Sequence, residues 1–137
     1  MARMLAHTHR IPIRWGDMDA MGHVNNTLYF RYMEEVRTHW YESLGINDNG
    51  PALPPHCAPV VINASCTFFK ALRYPGDVEV RLYVDEPGRS SVMTIYELRP
   101  VHDIDTVYAE GSAKAVWIDM QLEKSIPLPS VVRALLP

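Results

Sequence analysis

An α+β domain, with one long central helix wrapped by an antiparallel sheet of about five strands, is the fold class this sequence predicts. Three observations carry that reading. From Tyr29 the apolar residues Tyr29, Met33, Val36, Trp40 and Leu44 recur at steps of four, three, four and four, the spacing of a single helical face. Several other stretches alternate apolar and polar residues with the period of a strand. The last of them, Val107 to Asp119, sets Val107, Ala109, Gly111, Ala113 and Ala115 along one face. Interiors pack to near-crystalline density, so a row of small side chains requires something bulky opposite, and the Tyr, Met, Val and Trp stripe of the helix would fill it.

In chain order, His7 to Trp15 reads as a first strand, with His9, Ile11, Ile13 and Trp15 on one face and Thr8, Arg10, Pro12 and Arg14 on the other. Pro12 cannot donate to a ladder, which places this strand near a sheet edge. The helix is expected from about Thr27 to Leu44. Asn25 or Asn26 would cap it, Gly45 would leave the last turn with a positive φ, and Arg31 and Glu35 sit one turn apart on its charged side. Gly45 to Pro59 then forms a long connection stiffened by Pro51, Pro54, Pro55 and Pro59, either a pocket wall or a plain crossover back to the sheet.

Val60 to Lys70 is the next strand, its faces being Val60, Ile62, Ala64, Cys66 and Phe68 against Val61, Asn63, Ser65, Thr67 and Phe69. The second, partly polar face is expected to look toward a pocket or a partner. After a turn at Arg73 to Asp77, Val78, Val80, Leu82 and Val84 alternate with charged residues as a half-buried strand. Pro87, Gly88 and Arg89 mark another turn, and Ser91 to Arg99 continues with β-branched and aromatic residues. The tail can close with a helical turn for which Ser130 is a candidate N-cap.

Composition narrows the function classes. A chain of 137 residues, 47% hydrophobic, suits a single domain, 1–137, with a real core. Thirteen basic against sixteen acidic residues give a net charge of -3 with no basic cluster, which argues against nucleic acid as a partner. No membrane span and no leader peptide is indicated, and a cytoplasmic protein is the expectation. Cys57 and Cys66 read as reduced thiols rather than a disulfide framework. The six histidines lack partners at metal-ligand spacings, so no metal is expected, and no Gly-rich phosphate loop or Gly-x-Ser-x-Gly elbow occurs.

The segment without a hydrophobic rationale lies just ahead of the helix: Gly16, Asp17, Asp19, Gly22, His23, Asn25 and Asn26 within eleven residues. Capping and turn chemistry account for about half of them. Two carboxylates, an imidazole and two amides beside a helix N-terminus also make a plausible acyl-transfer site. One group attacks or activates water, while unpaired helix amides stabilise the oxyanion.

The run WGDMDAMGHVNNTLYFRYMEEVR resembles the signature of the hotdog-fold acyl-CoA thioesterases related to 4-hydroxybenzoyl-CoA thioesterase. The later PVVINASCTFFKALRYPGDVEVRLYV fits as well, so the resemblance spans roughly Arg10 to Asp119. It implies a hotdog fold, hydrolysis of an acyl-CoA with CoA entering only as part of the substrate and no cofactor, and a homodimer at minimum, with a homotetramer left open. It implies too that active sites lie at the subunit interface and that the catalytic aspartate falls on Asp19, with Asp17 ordering the loop. A carbonyl held against the backbone amide near Asn26 would be polarised by the helix end, leaving Asp19 to act as nucleophile or general base. His23, Asn25 and Asn26 could orient the carbonyl or the water, although capping explains both asparagines equally well.

Tyr29, with Trp15, Trp40, Phe68 and the Pro-rich loop, could line an acyl pocket. CoA phosphates need cations, for which Arg89 loosely matches the family's nucleotide-holding turn and Arg73 is proposed on spacing alone. Some hotdog thioesterases place the carboxylate on the central helix, where Glu34 and Glu35 stand, but here both sit in the charged stripe. HVNN also resembles the loop of acyl-ACP thioesterases, although those carry an asparagine two residues before the histidine, where this chain has Met21, and use two fused hotdog units. A non-catalytic acyl-CoA-binding protein is the third reading, and no partner-binding appendage is visible for it.

Overall fold

The computed structural model describes residues 3–47 and 50–136; positions 48 and 49 of the expected Pro-rich connection, and the termini of the 1–137 domain, lie outside them. The chain runs β1 (Met4–Pro12), α1 (Asn26–Ser43), β2 (Cys57–Phe68), β3 (Asp77–Asp85), β4 (Ser91–Pro100), β5 (Ala109–Asp119), β6 (Lys124–Ser125) and α2 (Ser130–Arg133). All pairings are antiparallel in the order β1-β3-β4-β5-β2, with the two-residue β6 added to β5. Five long strands wrapped on one long helix is the hotdog arrangement.

The apolar stripe does what its spacing predicts. Tyr29, Met33, Val36 and Trp40 are buried, together with Tyr32, against a sheet face built from Val78, Val80, Leu82, Val84, Val92, Tyr96, Leu98, Ala109, Ala113, Ala115 and Trp117. Gly111 marks the tightest approach. A Cβ there would run into Met33 Sδ and lie 3.1 Å from the Ser65 backbone oxygen, so the small-residue row on β5 is a docking trough for α1. Asn25 is the N-cap, its side-chain oxygen accepting from Thr27 N–H at 3.0 Å, and Gly45 leaves the helix at φ 75°.

Four details depart from expectation. The first strand is displaced: it starts at Met4 and ends at Pro12, and Trp15 opens a 3-10 turn and is 77% exposed instead of facing inward with Ile11 and Ile13. The reason is local, since Arg14 N–H donates to Asp17 Oδ2 at 3.0 Å and turns the chain before another strand residue can form. In β2 a bulge between Val61 and Asn63 flips the alternation. Pro59 and Val61 therefore share the helix side with Ala64, Cys66 and Phe68, while Ser65 and Thr67 lie on the outer side, where Ser65 Oγ meets Ser112 Oγ at 3.0 Å. Arg31 pairs with Glu34 at 3.7 Å, whereas Glu35 turns to His9 at 3.5 Å. Finally, Pro129 is the N-cap of α2 and Ser130 its first residue, without a side-chain capping bond.

The outer sheet face is polar and closely paired, although Arg99 Nε is buried without a partner. Glu97 accepts from Arg3, Tyr83 and Arg99, and Glu79 from Arg10 and Arg81. Burial alone would push the Glu97 carboxyl up; the hydrogen bonds and cations around it outweigh that and hold it below the usual carboxylate range. No helix of the described residues is long and apolar enough to cross a membrane. Cys57 and Cys66 are free thiols.

Candidate active site

The polar loop closes one end of the sheet. Val24 N–H donates to Leu72 O at 2.9 Å and Ile13 N–H to Gly76 O at 2.9 Å, which ties both ends of the loop to the β2–β3 connection. Inside it, Gly22 adopts φ 87°, a conformation that a side chain would strain. The two aspartates are employed differently. Asp17 ties the loop to the helix and does not border the groove that Asp19 lines: Oδ2 accepts from Arg14 N–H at 3.0 Å and from the Tyr32 hydroxyl at 2.7 Å, and its backbone oxygen accepts from Asn25 N–H. Burial, then the bond to Asp17, pushes the Tyr32 hydroxyl well above the normal phenol range, so it remains a donor at every physiological pH.

Asp19 is held by its own loop and borders the groove. Its Oδ1 accepts from Met21 N–H at 2.8 Å and His23 N–H at 3.4 Å, with His23 Nδ1 at 3.7 Å from the same oxygen. Oδ2 has no partner among the described residues. Asp19 faces a groove of about 320 Å³ that it lines with His23, Asn26, Tyr29, Phe68 and Lys70. Asn26 is the first residue of α1, where helix amides have no intrahelical acceptor and the dipole is positive. A carboxylate oxygen and an amide-rich helix end thus border one cleft, the minimum set for attack on a carbonyl with charge stabilisation at its oxygen.

The other candidate residues are distributed as follows. Asn25 stands behind the groove wall as the cap, its side-chain oxygen occupied by Thr27 N–H and Oγ1. Tyr29 is a buried wall: its hydroxyl accepts from Leu72 N–H at 3.1 Å and its ring meets Phe68 edge-on at 4.8 Å. Trp40 is sealed in the core, 1% exposed, and Trp15 borders a separate hollow behind the loop with Tyr74 and Asp19. Arg73 is exposed at the groove's end of the sheet, next to Leu72. Arg89 is at the other end, ahead of Ser91, beyond a ten-residue strand that measures about 30 Å. Lys70 and Phe69 line the groove and escaped sequence reasoning, because a strand terminus carries no signal of what it faces. Among the described residues no three His, Cys, Asp or Glu groups gather as a metal site.

Comparison with known proteins agrees with this geometry. Residues 13–136 match the family described as the Thioesterase-like superfamily. A proposed esterase of Aquifex aeolicus (strain VF5) is 33% identical over 124 residues, covering 87% of this chain and 90% of its own length. The structure of the PA2801 protein of Pseudomonas aeruginosa, a proposed thioesterase, superposes with a TM-score of 0.88 at 44% identity, covering 95% of this chain and 97% of that one. The 1,4-dihydroxy-2-naphthoyl-CoA thioesterase of Synechocystis shares the fold with a TM-score of 0.82 at 19% identity, over 94% and 93% of the two chains. With its loop, helix end and sheet matched along nearly the whole length, the chain belongs to the thioesterase-like superfamily, a membership that supports thioester hydrolysis as its class of reaction.

Proposed function

We propose that the protein hydrolyses an acyl-CoA to the free acid and CoA at the Asp19 groove. The observation that carries this reading is the open Oδ2 of Asp19 in the same cleft as the first turn of α1. The thioester carbon sits before Oδ2 and its oxygen points at the Asn26 amide. Either Oδ2 adds to the carbon, expelling the CoA thiolate and leaving an anhydride that water cleaves, or Oδ2 takes a proton from the water that adds. His23 orients the loop amides and the incoming water. The test is turnover by Asp19→Asn across CoA thioesters of graded length with a carrier-protein thioester alongside. Parent-rate hydrolysis by that variant would sink the assignment and return Asp17 and Glu35 as candidates. Label found in the Asp19 carboxylate after a single turnover in isotope-labelled water would show the nucleophilic route, since the general-base route labels only the released acid.

The working unit in this reading is a homodimer paired through β2. This edge strand is exposed from Val61 to Ser65, with Ile62 60% exposed, whereas the opposite edge, β1, carries Pro12, Arg10 and the imidazoles of His7 and His9. Antiparallel pairing of two β2 edges would extend the sheet and set the Phe68 end of one copy beside the Cys57 end of the other. It would also bring the partner's Arg89, too remote within its own chain, toward this chain's groove and Arg73, where both can meet CoA phosphates. Sedimentation of a fully active monomer would overturn it.

A further inference from the structure

A second cavity, of about 420 Å³, lies on the helix side of the sheet between the middle of α1 and the first half of β2. Tyr41, Ile46, Leu53, Pro59 and Val61 give it mostly apolar walls, and Arg37 is set among them. Arg37 is half-buried, and its Nη1 donates to the Tyr96 hydroxyl at 3.0 Å. Tyr96 and Thr94 meet through their hydroxyls at 2.6 Å, and Thr94 Oγ1 donates to the Ala113 carbonyl at 2.6 Å. A carbonyl can only accept, so Thr94 spends its proton there, Tyr96 donates to Thr94, and the Tyr96 oxygen is left as the acceptor for Arg37. Both hydroxyl residues are wholly buried.

Running such a relay through a largely apolar core costs desolvation that apolar side chains would avoid, and its effect is to fix one guanidinium at the cavity wall. Among the described residues Arg37 forms no ion pair, and Glu34, which also lines the cavity, lies 3.7 Å from Arg31. The cavity therefore offers an apolar bed ending in a positioned, uncompensated cation.

We propose that this cavity receives the far end of the acyl group bound in the other protomer's groove, and that Arg37 selects acyl groups ending in a carboxylate. The proposal rests on the hydrolase and dimer readings above. Pairing two β2 edges keeps both helices on one side of the joined sheet and brings the partner's Phe68, a wall of its Asp19 groove, beside this chain's Cys57 to Pro59, a wall of the Arg37 cavity. The two hollows then form one channel. Methylene groups fit its apolar length, and a terminal carboxylate meets the guanidinium, whereas a methyl end would cover that cation without supplying an anion.

The test compares kcat/KM for adipoyl-CoA and hexanoyl-CoA, which differ in carrying a carboxylate or a methyl at the same distance from the thioester. The wild-type protein is expected to favour adipoyl-CoA by about tenfold or more. Arg37→Met should reverse that preference, lowering turnover of the carboxylate and raising that of the methyl-ended thioester. Tyr96→Phe keeps the charge but removes its positioning acceptor and should lose part of the preference. Binding of both thioesters to the Asp19→Asn protein reads the same preference without turnover, so failure of the hydrolase reading and of this one are separable. A wild type indifferent to the terminal group in both assays would overturn the proposal, as would equal losses on both thioesters in Arg37→Met.

Discussion

The loop ahead of α1 and the trough where α1 meets β5 are neighbours built on opposite rules. The trough is closed: Met33 fills the space over Gly111, and its contacts are apolar. The loop is held by hydrogen bonds and left incomplete: Asp17 binds Arg14, Tyr32 and Asn25 away from the groove, while Asp19 borders the groove with one oxygen free. Stability should therefore be sensitive in the trough and activity in the loop, and substitutions that separate the two properties test the contrast.

The largest effect expected is on rate alone. Asp19→Asn keeps an acceptor for the Met21 and His23 amides, so hydrolysis should fall by about a thousandfold or more while the Tm holds; parallel losses of rate and Tm would erase the distinction. Gly111→Val should do the reverse. Its side chain collides with Met33 and the Ser65 backbone, so a destabilisation of about 2 kcal/mol or more is expected in denaturant titration, with whatever protein remains folded still active. Tyr32→Phe straddles the two regions, removing the hydroxyl bond to Asp17 from a buried ring; about 1 kcal/mol of stability should go, with a small rate loss if Asp17 only orders the loop. A rate loss as deep as that of Asp19→Asn would make Asp17 the reacting group.

The smallest effect belongs to a third place, where β1 crosses α1. His7 Nε2 lies 2.7 Å from His39 Nδ1, and His9 stacks on His39 at 4.2 Å between centroids. Burial first, then the neighbouring imidazoles, lowers the His7 pKa below its ordinary value. A lowered folded-state pKa means that the unfolded chain binds the proton more readily, so stability is intact above the unfolded pKa and is lost as pH falls below it. The Tm of the wild type should decline between about pH 7 and about pH 5 more than that of His7→Gln, and superimposable profiles would show that the cluster is not proton-linked.

How far the sequence could be read differed by region for a physical reason. The helix was legible because burial of one face imposes a repeat that survives in the residue order, and the Asp-x-Asp loop because its polar residues are adjacent in the chain. The β2 faces were misread ahead of the bulge, where Val60 was grouped with Ala64 and Val61 with Ser65, since a bulge adds one residue and no residue type announces it. Trp15 was placed on the face of Ile11 and Ile13 by parity, although a hydrogen bond from Arg14 to Asp17 had already ended the strand.

By itself, then, the sequence determined the fold class, the central helix with its cap, the small-residue trough and the loop that carries Asp19, because each is written in local spacing. Only the tertiary structure decided which aspartate borders the groove, that Lys70 joins it, that Arg89 stands a strand's length away, and that Arg37 is fixed by Tyr96 and Thr94. Those facts depend on residues as many as 59 positions apart meeting across a core, and no local pattern encodes a meeting of that kind.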